Sequence, residues 1–482
     1  TSPSSTSQRG PQASIKGSLK PTIIPLFSLQ QSPILENQKI CMYLEQIVGM
    51  EERVRMTGKK TPEELLKERR ERLEKAYLNK KPDRVPFSFF SSLAWAAKYT
   101  GVTTADLCFN NDAMLKASLK ILTDFNVDGV DSAPLPLGAL DLSLMIIALV
   151  DYPDLAVSLS TLTGPLHDIL RDRYSRWPGR ELPPDAEPQF LGGKFMEAEE
   201  YGKLAEDPVG FLNETVLPRV FESLSKPGSP QAYAALIRAG VELQRRSETS
   251  QRSSQEAARL GWASFPMSFS VKPLDYISDH LRHPPNMMLD IFKRPDEVLR
   301  AVDVITELTL KFQRAAIPPL VEMAQRILGT KVVMVGYPLH LNSMLSPKLY
   351  NEFYWPSLKK VLINAIDLGA VPFVFFEGDH TPHLETILEL PKGKIYGMFE
   401  KGDLRKIRRV LGDHIVIGGG ISTSVFAFGS REKVFEEVCR LLMDVKEPGG
   451  FIFTGTGAAI PPETKIENIW AAVEAVKKCG QY

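Results

Sequence analysis

Pro372-Phe-Val-Phe-Phe-Glu377 is a short apolar run that stops at an acid, and Gly378-Asp-His-Thr-Pro-His383 follows it at once. The run does not alternate apolar with polar residues, so it reads as a strand buried on both faces rather than one with a wet side. Working outward, the same unit recurs: Val85-Pro-Phe-Ser-Phe-Phe90, Gly129-Val-Asp-Ser-Ala-Pro134, Ser264-Phe-Pro-Met-Ser-Phe-Ser270, Val332-Val-Met-Val-Gly336, Ile395-Tyr-Gly-Met-Phe399, Ile415-Val-Ile-Gly-Gly-Gly420 and Gly450-Phe-Ile-Phe-Thr-Gly455. Eight such runs, each followed by a turn and a helical stretch, predict an α/β fold of the (β/α)₈ TIM barrel type. The functional groups are then expected where the runs end, because loops there vary without disturbing the core.

The spacing of the runs sets the organisation. Residues 1–60 form an N-terminal arm, expected to be poorly ordered, and residues 61–482 form the barrel. Thr61-Pro-Glu-Glu opens a helix with a capping Thr, Pro in its first turn and Glu three residues on, and this helix is expected to cover the barrel floor. More than 100 residues separate the second and third runs, so a large insertion or lid of about 140–260 is expected there. Within it, Trp177 to Phe190 is Pro-rich and suits a loop over the mouth, Ser247 to Ala257 is polar and reads as a flexible spot, and 140–166 fits no element cleanly.

Lys and Arg together number 58 and so do Asp and Glu, so no net charge draws the chain to nucleic acid or an anionic membrane. The longest apolar stretch, Leu140 to Val150, is too short to span a bilayer. Cys41, Cys108, Cys439 and Cys479 are widely spaced, so neither a disulfide framework nor a thiolate zinc site is expected, and the compartment read from this is the cytoplasm.

At the run ends, Glu377, Asp379, His380 and His383 form the densest polar cluster, and carboxylate with imidazole suits acid–base work or a metal. Glu377 and His380 are taken as catalytic, with His340 as the third member of a Glu377–His380–His340 metal set, zinc being the metal considered. A helix cap at Asp379 and solvated histidines would explain the cluster equally well. Asp131, inside the second run, is the further acid candidate, since an unpaired carboxylate there would cost several kcal/mol. Phe90, Trp95, Tyr337 and His340 are expected to line the substrate site. Gly419, Gly420 and Gly455 follow the last two runs, where backbone amides commonly hold an anion, although tight turns explain them as well.

Three segments carry a resemblance: Pro273-Leu-Asp-Tyr-Ile-Ser-Asp-His-Leu-Arg282 with Met288 to Asp296, Ser346-Pro-Lys-Leu-Tyr-Asn-Glu-Phe-Tyr-Trp355, and Gly449-Gly-Phe-Ile-Phe-Thr-Gly-Thr-Gly457. Together they resemble the uroporphyrinogen decarboxylase superfamily, which includes corrinoid-dependent methyltransferases. The resemblance implies, for the decarboxylase branch, an arginine-rich loop after the first strand; here that place reads Phe89-Phe-Ser-Ser-Leu-Ala-Trp-Ala-Ala-Lys98. For the coenzyme M methyltransferase branch it implies zinc-binding His-x-Cys and a later Cys, where this chain has Phe375, Glu377 and Ala458. The expected function is therefore transfer of a methyl group from a small methylated substrate to a corrinoid supplied by a partner protein. Uroporphyrinogen or tetrapyrrole decarboxylation in porphyrin biosynthesis, with Asp131 as the acid, is the alternative, as is a catalytically degenerate tetrapyrrole-binding barrel. A homodimer is among the assemblies considered.

Overall fold

The computed structural model describes residues 60–130 and 139–482. Thr61–Tyr482 forms one compact unit. Its frame is a six-stranded parallel sheet made of β3 (Met267–Phe269), β4 (Met334–Leu339), β5 (Val371–Phe376), β6 (Tyr396–Phe399), β7 (Val416–Gly420) and β8 (Phe451–Gly455), each hydrogen-bonded to the next. β1 (Ser88–Phe89) pairs in parallel with β2 (Gly129–Val130). It also lies beside β8, through parallel bridges Phe87–Phe453 and Ser91–Ile460. All eight expected runs thus carry strands that run in parallel as neighbours, in the order β2-β1-β8-β7-β6-β5-β4-β3. Among the described residues no ladder joins β2 to β3.

The helix Pro62–Tyr77 forms where its capping box predicts: Glu64 N donates to Thr61 Oγ1 at 3.3 Å and Thr61 N to Glu64 Oε2 at 2.8 Å. Its Leu73, Ala76 and Tyr77 pack in one cluster with Val332, Val371, Tyr396, Val416 and Ile452. These five lie within two residues of the starts of β4 to β8, so one helix closes the amino-terminal end of the sheet. The opposite ends are left to the loops.

The excursion between β2 and β3 differs from its sequence reading in two places. Ser247 to Ala257 is not a flexible spot but the second half of a 30-residue helix, Pro230–Arg259. Ser253 and Ala257 bury one face, and Arg252 pairs with Asp112, so tertiary contacts hold a polar sequence helical. The unassigned 140–166 folds as an antiparallel ribbon, Leu140–Asp141 with Thr161–Leu162, around the buried helix Leu144–Ala148. A second ribbon, Ser175–Arg176 with Gln189–Phe190, closes the Pro-rich segment.

A further correction concerns the cysteines. Cys439 and Cys479 form a disulfide, with Cα atoms 5.3 Å apart, between the helices Arg431–Val445 and Ile466–Cys479 that pack on each other after β7 and β8. Their separation of 40 residues hides a pairing that only helix–helix packing creates. The cysteine spacing therefore no longer argues for a reducing compartment. Among the described residues no helix is long and apolar enough to cross a membrane.

Candidate functional site

The carboxyl ends of β3, β4, β5 and β6 converge on His340. β4 stops at Leu339, and the next two backbone amides have lost their ladder partners. Asp275, from the short helix Pro273–Ile277 after β3, supplies new ones: His340 N donates to its Oδ2 at 3.1 Å and Leu341 N to its Oδ1 at 3.0 Å. Tyr354 Oη donates to the same carboxylate at 2.6 Å. One turn on, the chain widens into a π turn, Ser278–Arg282, a geometry that recurs at functional sites. That turn aims Asp279 at the His340 ring, with Oδ2 2.7 Å from Nδ1.

On its other edge, His340 Nε2 lies 3.2 Å from Glu377 Oε2. Glu377 follows β5 and keeps 45% of its side-chain surface, whereas Asp279 keeps 2%. His340 thus bridges a buried acid and an open one. Glu400, after β6, accepts from Gly378 N at 2.6 Å and fixes the turn that carries Glu377. Behind the ring, buried Lys272 donates to Asp141 Oδ2 at 2.8 Å. His280 Nε2 lies 3.0 Å from Ser143 Oγ and 3.5 Å from Asp141 Oδ1. Asp141 comes from the ribbon that the excursion contributes, and Phe190 of the second ribbon sets its ring against both His280 and His340, at 5.7 and 6.2 Å. Phe190, the last residue of the Pro-rich segment, is the part of it seen against these rings.

Electrostatics follow from this packing. Burial works against a charged His340, but Asp279, aided by Asp275, outweighs burial and the opposing Lys272, and the imidazole is pushed up to about 9. Burial likewise raises Glu377, with Glu400, Asp275 and Asp279 adding to the rise and His340 opposing it. Asp275 is raised by burial and by Asp279. Asp141 is half-buried, yet Lys272 and His280 hold it well below the usual carboxylate range. The cluster therefore holds a proton on the His340–Glu377 edge at neutral pH, and that edge is the open one.

The expected metal set is not assembled. His380 is completely buried against Phe376 and Tyr350, its Nδ1 3.2 Å from Asn342 Nδ2, and burial together with His383 pushes its pKa down to about 3. His383 stacks on Tyr350 at 4.0 Å. Both ring nitrogens of His340 are already engaged by carboxylates. Among the described residues no group of three or more His, Cys, Asp or Glu is arranged to hold a metal ion. The residues present do not fit the zinc centre considered from sequence.

The other candidates separate by burial. Phe90 lines a cavity of about 550 Å³ at the ends of β1, β3 and β8, with Leu93, Met267, Phe269, Glu187 and Arg246. Trp95 lies in the core instead, its Nε1 donating to Thr464 O at 3.0 Å and its ring stacked on Tyr99. Tyr337 is buried inside β4 and accepts from Gln313 Nε2 at 2.8 Å. Gly419, Gly420 and Gly455 serve the backbone: a Cβ on Gly420 would stand 2.0 Å from Gly455 O, so the two strands approach as only glycine allows. Asp131 lies outside the described residues. Asp141, Lys272, Asp275, Asp279 and Glu400 were missed, although Lys272, Asp275 and Asp279 directly after an apolar run were a readable signal.

Comparison with known proteins bears on the same region. Residues 267–479 match the uroporphyrinogen decarboxylase (URO-D) family model. Uroporphyrinogen decarboxylases from three strains of Coxiella burnetii are 24% identical over 190 residues, 39% of this chain and 49% of theirs. The chain spans about half the length of the curated relatives it matches. A methyltransferase from Methanosarcina mazei shares the fold, with a TM-score of 0.52 and 17% identity over 85% of this chain and 98% of that one. Residues 267–479, which carry β3 to β8 and the cluster of Lys272, Asp275, Asp279, His340, Glu377 and Glu400, are thus the part of the chain that is similar to the uroporphyrinogen decarboxylase family.

Proposed function

We propose that the chain is a methyltransferase that moves a methyl group from a small methylated substrate to a corrinoid carried by a partner protein. The reading takes the eight parallel strands as a closed (β/α)₈ barrel whose mouth is the strand ends just described. Its main support is the His340 ring held between buried Asp279 and half-open Glu377. In the reaction, the bond from methyl carbon to heteroatom breaks as the acceptor takes the carbon. The electron pair stays on the heteroatom, and a proton from the His340–Glu377 edge neutralises it. No step passes through a metal. The corrinoid is the methyl acceptor and belongs to the partner; this chain orients the donor, shields it with Phe190 and delivers the proton.

Five carboxylates, Asp141, Asp275, Asp279, Glu377 and Glu400, surround this edge against two cations, Lys272 and His340. Among the described residues no guanidinium joins them, so the cluster opposes a substrate bearing many carboxylates. The test is methylation of cob(I)alamin by the purified protein with a panel of methoxy-aromatics and methylamines. Turnover that falls in Glu377→Gln supports the reading; no turnover, or turnover indifferent to that change, overturns it. The family match favours a second reading, a tetrapyrrole decarboxylase using Asp131 as its acid. Incubation with uroporphyrinogen and separation of products by carboxylate number decides between them, and tight tetrapyrrole binding with no product of either kind marks the degenerate barrel.

A further inference from the structure

The cavity beside Phe90 has one feature that its apolar walls do not explain. Arg246 reaches it from the helix Pro230–Arg259 and is half-buried there. Among the described residues its hydrogen bonds go to one partner, NH2 to Thr161 Oγ1 at 2.6 Å and NH1 to Thr161 O at 3.3 Å. Among the described residues no carboxylate lies within ion-pair distance. Glu242 on the same helix acts on it only at longer range. A guanidinium has five donors in a planar fork, and these two bonds leave the rest of it at the cavity wall with no counter-charge. The fully buried arginines are satisfied more completely: Arg72 pairs with Asp128 and Arg282 with Asp290 at 2.6 Å, while Arg408, without a carboxylate, donates to four backbone carbonyls and Arg69 donates to Gly261 O and Asn126 Oδ1 and stacks on Trp262.

Around Arg246 the walls are Phe90, Leu93, Val157, Met267 and Phe269, an apolar slot of about 550 Å³. At the β1 side stands Glu187, whose carboxylate is occupied by Ala94 N at 2.7 Å at the start of the helix Leu93–Thr100. Glu187 therefore does not serve Arg246, and it makes that end unfavourable for a second anion. Phe269 precedes Lys272 by three residues, so the slot and the His340 cluster open from the same strand ends.

We infer that this cavity binds a small ligand with one carboxylate and an apolar, ring-sized body, the carboxylate taken by the Arg246 fork and the body held between Phe90, Met267 and Phe269. The choice of methylated probes rests on the methyl-transfer reading; the site itself does not. One guanidinium pairs with one carboxylate, which separates this ligand from a tetrapyrrole with many.

The experiment measures binding of 4-methoxybenzoate and of its neutral analogue 4-methoxybenzamide to the full chain by calorimetry and ligand-observed NMR. The acid is expected to bind about tenfold more tightly or better, and Arg246→Gln to abolish that preference while the amide binds as before. Arg246→Lys keeps a charge but not the fork and should retain only part of the preference. Equal binding of acid and amide to the parent protein, or a preference that survives Arg246→Gln, overturns the inference. Near-ultraviolet circular dichroism checks that each variant is folded. Carboxylate-dependent binding without methyl transfer sinks the methyl-transfer reading alone, whereas turnover of neutral donors unaffected by Arg246→Gln sinks only the present inference.

Discussion

Replacing Asp279 by Asn tests the electrostatic account of the site with little change in shape. The amide can still meet His340 Nδ1, but it carries no charge. In the parent protein the imidazole stands at about 9 against the ordinary 6.5, and Asp279 is the largest influence raising it. That difference is worth about 3 kcal/mol, at about 1.4 kcal/mol for each tenfold change. Because the folded-state value is raised, His340 contributes this stability in full below 6.5 and loses it as pH rises through about 9. In Asp279→Asn the imidazole should fall toward its ordinary value, and the alkaline loss of stability attributable to His340 should shrink. The assay is an NMR titration of labelled histidine, with the His340→Gln spectrum giving the assignment, paired with denaturant unfolding on both sides of the window. The titration belongs to the His340–Glu377 pair, so the readout is the apparent value. A parent His340 titrating near 6.5, or one unmoved by Asp279→Asn, refutes the reasoning.

Glu377→Gln and His340→Gln should each lower methyl transfer by about a hundredfold or more, the range for loss of a positioned proton donor, with the unfolding midpoint little changed for Glu377, which is half exposed. His380 is buried neutral with its pKa near 3, so the unfolded chain takes up a proton first and stability is lost as pH falls below 6.5; His380→Leu should move acid unfolding to lower pH while activity persists. A loss of activity as deep as that of Glu377→Gln would restore His380 to the reaction. Unfolded, unreduced protein should show about two reactive thiols of the four, and Cys439→Ser should cost about 4 kcal/mol by loop-closure entropy over 40 residues, measured by denaturant titration.

The eight strands were legible because a strand buried on both faces is written as an unbroken apolar run, and Val332 to Gly336 or Ile415 to Gly420 admits few other readings. The caps of Pro62–Tyr77 were legible for the same local reason. What could not be read was anything set by contacts between distant segments. Ser247 to Ala257 is helical because Arg252 pairs with Asp112 and Ser253 and Ala257 are buried. The Cys439–Cys479 bridge exists because two helices happen to lie side by side. Within the site, Glu377 and His340 stood out by position, and they do meet. His380 stood out equally, three residues from Glu377, yet the turn at Gly378, with φ of +69°, sends it into the core. Spacing along the sequence reveals which side chains are near a strand end but not which way the following turn aims them.

Asp275 shows why fold and site cannot be separated at every residue. Its two oxygens complete the backbone of His340 and Leu341 at the place where β4 loses its ladder, and Tyr354 fastens the same carboxylate. Removing that carboxylate would leave two amides and a hydroxyl unsatisfied in a buried place, at about 1 to 3 kcal/mol each, so an inactive Asp275→Ala would say little about chemistry. Asp279 makes a single hydrogen-bond contact, to the ring at Nδ1, and reaches Asp275 and Glu377 only through its charge. A change there alters the charge His340 feels while the clamp that positions its backbone stays closed. The two acids differ by one helical turn, and that turn divides what builds the strand end from what tunes it.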